Sequence, residues 1–412
     1  MIPEIRISDY SYDLPEERIA KYPLEERDSS KLLIFDSGSI RERHFRDITE
    51  EIPAGALLVR NETKVMPARL HFCRESGAHI EVFCLEPVFP SEYNLAFEAT
   101  DTCRWKCIVG NAKKWKGDIL RLYNPDSEQD VEALSLTASL VERSGQDAVV
   151  EFNWKGGCTF SRVLTLCGRI PIPPYLNRES EDIDTVRYQT TYARIKGSVA
   201  APTAGLHFTE SVFRGLEEKG VECKSVCLHV GAGTFLPVKS ELVQDHPMHR
   251  EPFSVSRDLL EALAVAIRNG RNVVAVGTTS MRTLESLFYV GVSCIEKGRP
   301  EDVTQWSPYE RDYSYGTAEA LEAIIKYLDS NSLKEIKVGT RIIIVPGFRF
   351  RIVSYLVTNF HQSESTLLLL IAAFIGEDWK KVYRYALDNG FRFLSYGDSS
   401  LLRRQDASTG CK

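Results

Sequence analysis

The sequence predicts a mixed α/β protein interrupted by an all-β segment. Three observations lead there. Strand-like runs alternate with helical periods near both ends of the chain. Between about Met66 and Phe160 the helical period vanishes. Ordinary globular composition, 43% hydrophobic and 26% charged over 412 residues, gives enough chain for a substantial core.

Within the middle segment, HIEVFCLEP, WKCIVG around Trp105, DILRLYN and AVVEFNW are short apolar runs broken by turn chemistry and closed by Gly156-Gly157. Such spacing fits a small antiparallel barrel or sandwich. After it, Thr209 N-caps a helix to Lys219 that Gly220 ends, and the strand VECKSVCLHV follows. Asp258 to Asn269 carries Leu259, Leu260, Leu263, Ala266 and Ile267 at helical spacing before Gly270. The strand Val273–Val276, the turn GTTS and a helix from Met281 come next. The strand IIIVPG, the segment SYLVTNF, the helices STLLLLIAAF and EDWKKVYRYALDN, Gly390 and a strand FRFLSY complete the reading. This divides the chain into a discontinuous α/β domain, 1–65 and 161–412, and an inserted β domain, 66–160. A second insertion is expected at 293–337, with an amphipathic helix from Thr317 to Asp329 bearing Leu321, Ile324, Ile325 and Leu328.

The chain has 51 Lys+Arg against 57 Asp+Glu, a net charge of −6, which argues against a general nucleic-acid coat but allows local basic patches. MIPEIRISDYSYDLPEER shows no signal-peptide pattern. The longest apolar run, Leu367 to Ile375, falls well short of the ~20 residues that cross a bilayer. Ten cysteines without C-x-x-C read as small hydrophobes in a reducing cytoplasm. No metal site is expected, because His246-x-x-His249 with Glu251 lies in loop sequence that need not bring its imidazoles together.

Candidate chemistry concentrates in three elements. GSVAAPTAGLHFT, Gly197–Thr209, is a glycine-rich loop leading into a helix; Thr203, Gly205, His207 and Phe208 lie in it. The positive end of a helix dipole favours an anionic group there, although an ordinary capped loop uses the same residues. Thr278, Thr279, Ser280 and Arg282 follow Val273–Val276, at the strand end where open α/β sheets bind ligands. Glu285 stands three residues beyond Arg282, so the two either face the crevice or form a surface ion pair. HVGAGTFLPV holds His229, Gly231, Gly233 and Phe235, but Leu236 occupies the third glycine position of a dinucleotide fingerprint, which excludes that motif. Of eight histidines, His207, His229, His246, His249 and His361 follow strand-like runs, and imidazoles titrate near neutrality. Basic residues beside aromatics, Lys113, Lys114, Lys116, Arg349, Arg351 and Arg392 among them, offer a phosphate-tracking surface.

YDLPEERIAKYPLEERDSSKLL, NETKVMPARL, RYQTTYA, GSVAAPTAGLHFTE, HVGAGTFLPV, MHRE, VGTTSMRTLES, PGFRFRIVSYLVTNFH, ESTLLLL and FRFLSYGDSSLL, in this order, resemble the S-adenosylmethionine:tRNA ribosyltransferase-isomerase family of queuosine biosynthesis. The resemblance implies a large α/β domain with a small antiparallel β-barrel inserted. It implies transfer and isomerisation of the ribosyl group of S-adenosylmethionine onto 7-aminomethyl-7-deazaguanine at the tRNA wobble position. Epoxyqueuosine-tRNA forms, adenine and methionine leave, and S-adenosylmethionine is a consumed substrate with no further cofactor. For that chemistry His207 or His229 is expected as base or acid. Arg282 and the amides at Thr278–Ser280 are expected to take the methionine carboxylate. Phe208 or Phe235 would stack on the sulfonium or adenine, while Asp398 and Glu285 accept ribose hydroxyls or the base edge. Thr203, Gly205, Gly231, Gly233, His249 and Asn359 complete the expected substrate contacts, in a cytoplasmic monomer. The sequence departs from the family pattern at Arg250, at Gln362-Ser363 in place of Leu-Pro, and in the length of 293–337. A catalytically silent tRNA-binding module and an enzyme of free nucleotides are the competing readings.

Overall fold

The computed structural model describes residues 4–123, 129–144, 147–231, 238 and 240–405. Its frame is a nine-stranded sheet in the order Glu335–Thr340, Glu251–Ser256, Glu222–Leu228, Leu57–Asn61, Val273–Val276, Tyr355–Asn359, Ser399–Arg403, Lys31–Asp36, Ser39–His44. The four strands from Glu222–Leu228 to Tyr355–Asn359 run parallel. Both faces are covered, as parallel strands require. Leu33, Phe35, Leu57 and Val59 point into one core; the alternate residues Leu32, Ile34 and Leu58 point into another beneath Phe208, Val212 and Leu216.

A seven-stranded antiparallel sheet spans Arg69 to Arg169, and six of its strands close into a barrel through Phe72↔Leu122 and Cys73↔Arg121. The fold class is thus mixed α/β with an antiparallel β-barrel. Asp147–Asn153 alternates buried and half-buried residues throughout. Phe160 fills the interior against Trp105, Phe152 and Trp154 at ring distances of 5.6, 5.4 and 5.4 Å. The chain leaves the α/β frame and returns to it through a two-stranded parallel pair, Thr63–Val65 with Ile195–Ser198.

Most helices form where the sequence places them, including Glu210–Glu218 with Thr209 accepting from the Val212 amide. Three secondary-structure readings change. The helix expected from Met281 is Thr278–Lys297. It starts earlier because Gly277, at φ 87°, turns the chain and the Ser280 hydroxyl donates to the Val276 carbonyl. Ile342–Gly347 is not a strand: the Ile342 and Val345 amides donate to the hydroxyls of Thr340 and Tyr309 in place of a ladder. Phe391–Tyr396 is a loop whose amides reach the Arg18 and Phe360 carbonyls and Asp398; the strand is Ser399–Arg403. The stretch 293–337 is built into the main core. Its first residues finish the helix Thr278–Lys297. The helix Thr317–Ser330 packs Ala320, Leu321, Ile324 and Leu328 against that helix and Arg257–Arg268, and Glu335–Thr340 edges the main sheet.

Candidate active site

A cleft of about 840 Å³, counted out to its mouth, lies at the carboxyl ends of the parallel strands. Val230 follows Glu222–Leu228, Gly277–Thr279 follow Val273–Val276, and Asn359–Gln362 follow or end Tyr355–Asn359; Ala200–Ala204 make a further wall. A loop or helix that follows a parallel strand begins at that strand's carboxyl end, so loops and helix N-termini gather at this edge. Two helices, Thr278–Lys297 and Thr366–Ile375, begin there, so first-turn amides border the space.

The lining is rich in hydroxyls and amides, and among the described residues it contains no Asp, Glu, Lys or Arg. Thr279 Oγ1 and Asn359 Oδ1 are buried without a hydrogen-bond partner. Leaving such groups unsatisfied costs about 1–3 kcal/mol each, a penalty that a ligand's polar atoms would relieve. Asn359 is held from behind: its Nδ2 donates to His207 Nε2 at 3.3 Å, and His207 Nδ1 lies 2.9 Å from Ser30 Oγ. With Nε2 accepting, the neutral imidazole carries its proton on Nδ1 and donates to Ser30. His361 is the histidine of the lining; its Nε2 is 2.9 Å from Thr358 Oγ1, and burial pushes its pKa down to about 3. Tyr175, 2.5 Å from Ser395 Oγ, is pushed up to about 12 by burial.

Of the residues expected from sequence, Thr203, Thr278, Thr279 and Asn359 line this cleft. Gly231 directly follows Val230; Gly233 and Phe235 lie outside the described residues. His207 sits behind Asn359, and burial lowers its pKa to about 4. His229 stacks on Tyr93 of the barrel, 4.3 Å between centroids at 7°, and desolvation lowers it to about 4 as well. That stack explains Gly197, where a Cβ would stand 2.7 Å from His229. Gly205 lies close under the Tyr192 hydroxyl, and Phe208 packs on Phe45 and Phe213 in the core.

Arg282 and Glu285 do not face the crevice, nor do they pair with each other. Arg282 bonds Glu251 and the Ile342 carbonyl, while Glu285, fully buried, accepts from the amides of Arg351, Ile352 and Val353. Burial raises the Glu285 pKa against the pull of those three amides. A helix enclosed nearly all round sends positions three apart to different neighbours. Asp398 accepts from the Lys31 and Arg392 amides and from the Arg392 guanidinium, which fixes a loop. Ser280 is occupied by the Val276 carbonyl, and His249 is exposed. The six expected tRNA cations are scattered over several elements. Lys113, Lys114 and Lys116 are exposed beside the barrel turn Ala112–Lys114, and Arg349 is exposed on a loop. Arg351 stacks over Phe288 at 4.3 Å, and Arg392 holds Asp398. Sequence reasoning named His361 among the candidate histidines but left it out of the expected site, and it passed over Tyr175, Thr358, Gln362 and Ser395. The signal for most of them was position, directly at or after the carboxyl end of SYLVTNF.

A cleft at the strand ends, with unpaired polar atoms and helix N-termini, has the form that ligand sites take in the class of α/β enzymes. The family described as queuosine biosynthesis protein matches residues 7–402. S-adenosylmethionine:tRNA ribosyltransferase-isomerases from Trichlorobacter lovleyi and Pelobacter propionicus are 39% and 38% identical over 401 residues, 96% of this chain and 99% of each relative. The same-named protein of Syntrophomonas wolfei is 37% identical over 403 residues, 96% of this chain and 97% of the relative. The crystal structure of S-adenosylmethionine tRNA ribosyltransferase from Thermotoga maritima aligns with 96% of this chain and 100% of its own, at 28% identity and TM-score 0.46. The chain belongs to the queuosine biosynthesis family and is an enzyme of the transferase class.

Proposed function

We propose that this enzyme binds S-adenosylmethionine in the cleft and transfers its ribosyl group, with isomerisation, to 7-aminomethyl-7-deazaguanine at the wobble position of tRNA. Epoxyqueuosine-tRNA is the product, adenine and methionine are released, and the protein acts as a cytoplasmic monomer. The observation that carries this reading is convergence. The motifs GSVAAPTAGLHFTE, VGTTSMRTLES, SYLVTNFH, ESTLLLL and FRFLSY, far apart in the chain, all supply residues to one cleft.

The chemistry requires a base for the ribose carbon beside the sulfonium, whose positive charge acidifies that C–H bond. His361 and Tyr175 are the side chains of the described lining that exchange protons, and a neutral His361 is the one able to accept. His361 therefore takes the role expected of His207 or His229. Amides opening Thr278–Lys297 suit the methionine carboxylate in place of Arg282. Thr279 Oγ1 and Asn359 Oδ1 suit the ribose hydroxyls and the adenine amino group, and His207 fixes the Asn359 amide.

Incubation with S-adenosylmethionine and precursor-bearing tRNA should release adenine, and release should stop when tRNA is omitted. His361→Asn should bind S-adenosylmethionine but turn over at least about 100-fold more slowly; undiminished turnover removes His361 as the base. Release without tRNA would favour an enzyme of free nucleotides, and tight tRNA binding without release a silent binding module.

A further inference from the structure

A second hollow among the described residues is a groove of about 1520 Å³, counted out into open solvent, lined by the barrel's helix Phe160–Cys167 on one side and by the strand pair Thr63–Val65 and Ile195–Ser198 on another. Its cations are Lys64, Arg162, Arg169 and Lys196, all exposed. Lys64 and Lys196 are register partners on adjacent parallel strands. Two like charges on neighbouring strands disfavour each other modestly, a cost that an anion binding both would offset. None of the four has a carboxylate within ion-pair distance among the described residues; Lys196 Nζ bonds only the Ser161 hydroxyl, at 2.8 Å. Elsewhere on this net-acidic protein most arginines are matched, Arg41 with Glu51, Arg74 with Asp118, Arg257 with Asp329. Two carboxylates, Glu181 and Asp182, also line the groove, both exposed, and Glu181 accepts from the Tyr22 hydroxyl.

We propose that this groove seats the phosphodiester backbone of the substrate RNA, an inference that rests on the tRNA reaction proposed for the cleft. Four cations without an ion pair, two of them register partners, outnumber the groove's two carboxylates and match a polyanion in charge. Continuity adds direction. The strand carrying Lys196 runs on through Val199 into Ala200–Thr203, the wall of the cleft, so a backbone held at Lys64 and Lys196 lies beside the loop that meets the small substrate. The barrel's part is then to supply Arg162 and Arg169 as the second bank of that channel.

The test compares tRNA affinity and its salt dependence for the parent, for a groove variant (K64Q, R162Q, R169Q, K196Q) and for a barrel-turn variant (K113Q, K114Q, K116Q), with S-adenosylmethionine binding measured separately by calorimetry. The groove variant should lose at least about tenfold in tRNA affinity. Its plot of log affinity against log salt should flatten by about 0.7–0.9 for each phosphate-bound cation removed, with S-adenosylmethionine affinity unchanged. Lys64→Glu alone should raise the melting temperature by pairing with Lys196 while weakening tRNA binding, a combination that a structural role for Lys64 would not produce. Full tRNA affinity in the groove variant, or the loss appearing in the barrel-turn variant instead, overturns the groove. A parent protein that binds no tRNA at all overturns the proposed reaction on which the groove rests.

Discussion

His207, His229 and His361 share one condition: each is an imidazole taken out of water without a carboxylate bonded to it. Desolvation disfavours the charged ring, lowering the pKa values from 6.5 to about 4, 4 and 3. The folded protein therefore binds fewer protons than the unfolded chain between those values and 6.5. Stability from this source is fully present above about pH 6.5 and is lost as the pH falls toward 4. At about pH 4.5 each ring contributes a loss on the order of 2–3 kcal/mol. Urea titrations should show His207→Asn losing less stability than its parent between about pH 7 and 4.5; parallel losses would mean that His207 is not held neutral. The same shift gives catalysis no acid limb from His361 between about pH 5 and 8. The histidines could be singled out in the sequence because they follow strands, but burial was invisible there. It decides that His207 orients Asn359 from behind while His361 reaches the cleft.

Helix Thr278–Lys297 shows what the sequence could and could not tell about an element. Its existence was legible from Val273–Val276 followed by a glycine turn. Its surroundings were not, because a helix buried nearly all round lacks the polar face that reveals orientation. Arg282 and Glu285 thus looked like a crevice pair and are structural groups facing different neighbours. Gly291 carries the contact that fixes this helix: a Cβ there would stand 2.2 Å from the Ala320 carbonyl oxygen on Thr317–Ser330. Gly291→Ala gains about 1 kcal/mol of helix propensity. Separating two packed helix backbones costs about 1–3 kcal/mol, and no flexible side chain is available to yield. The two together leave a net loss of up to about 2 kcal/mol in denaturant unfolding, and a variant that kept the propensity gain and was more stable than its parent would show that the two helices are not locked at this point.

At the scale of the whole molecule, alternation along the chain made the barrel and the α/β frame legible, because period 2 and period 3.6 are local properties. Strand order was not, since Lys31–Asp36 pairs with Ser399–Arg403 from the other end of the chain. Phe391–Tyr396 has the apolar content of a strand, yet its amides are taken by Arg18, Phe360 and Asp398, partners that no local pattern reveals. The net charge of −6 has the same character, a sum that hides its distribution. With acidic groups in excess over basic ones, long-range attraction for RNA is weak, and on the proposed reading the cations of the 64–196 groove carry most of the phosphate contacts. Four contacts at about 0.7–0.9 released counter-ions each give a slope of log affinity on log salt near −3. Filter-binding titrations of the parent protein with tRNA across about 50–300 mM salt measure it directly. A slope of about −7 or steeper would require at least as many cations again as the groove holds, and the barrel-turn lysines Lys113, Lys114 and Lys116 would then have to share the backbone.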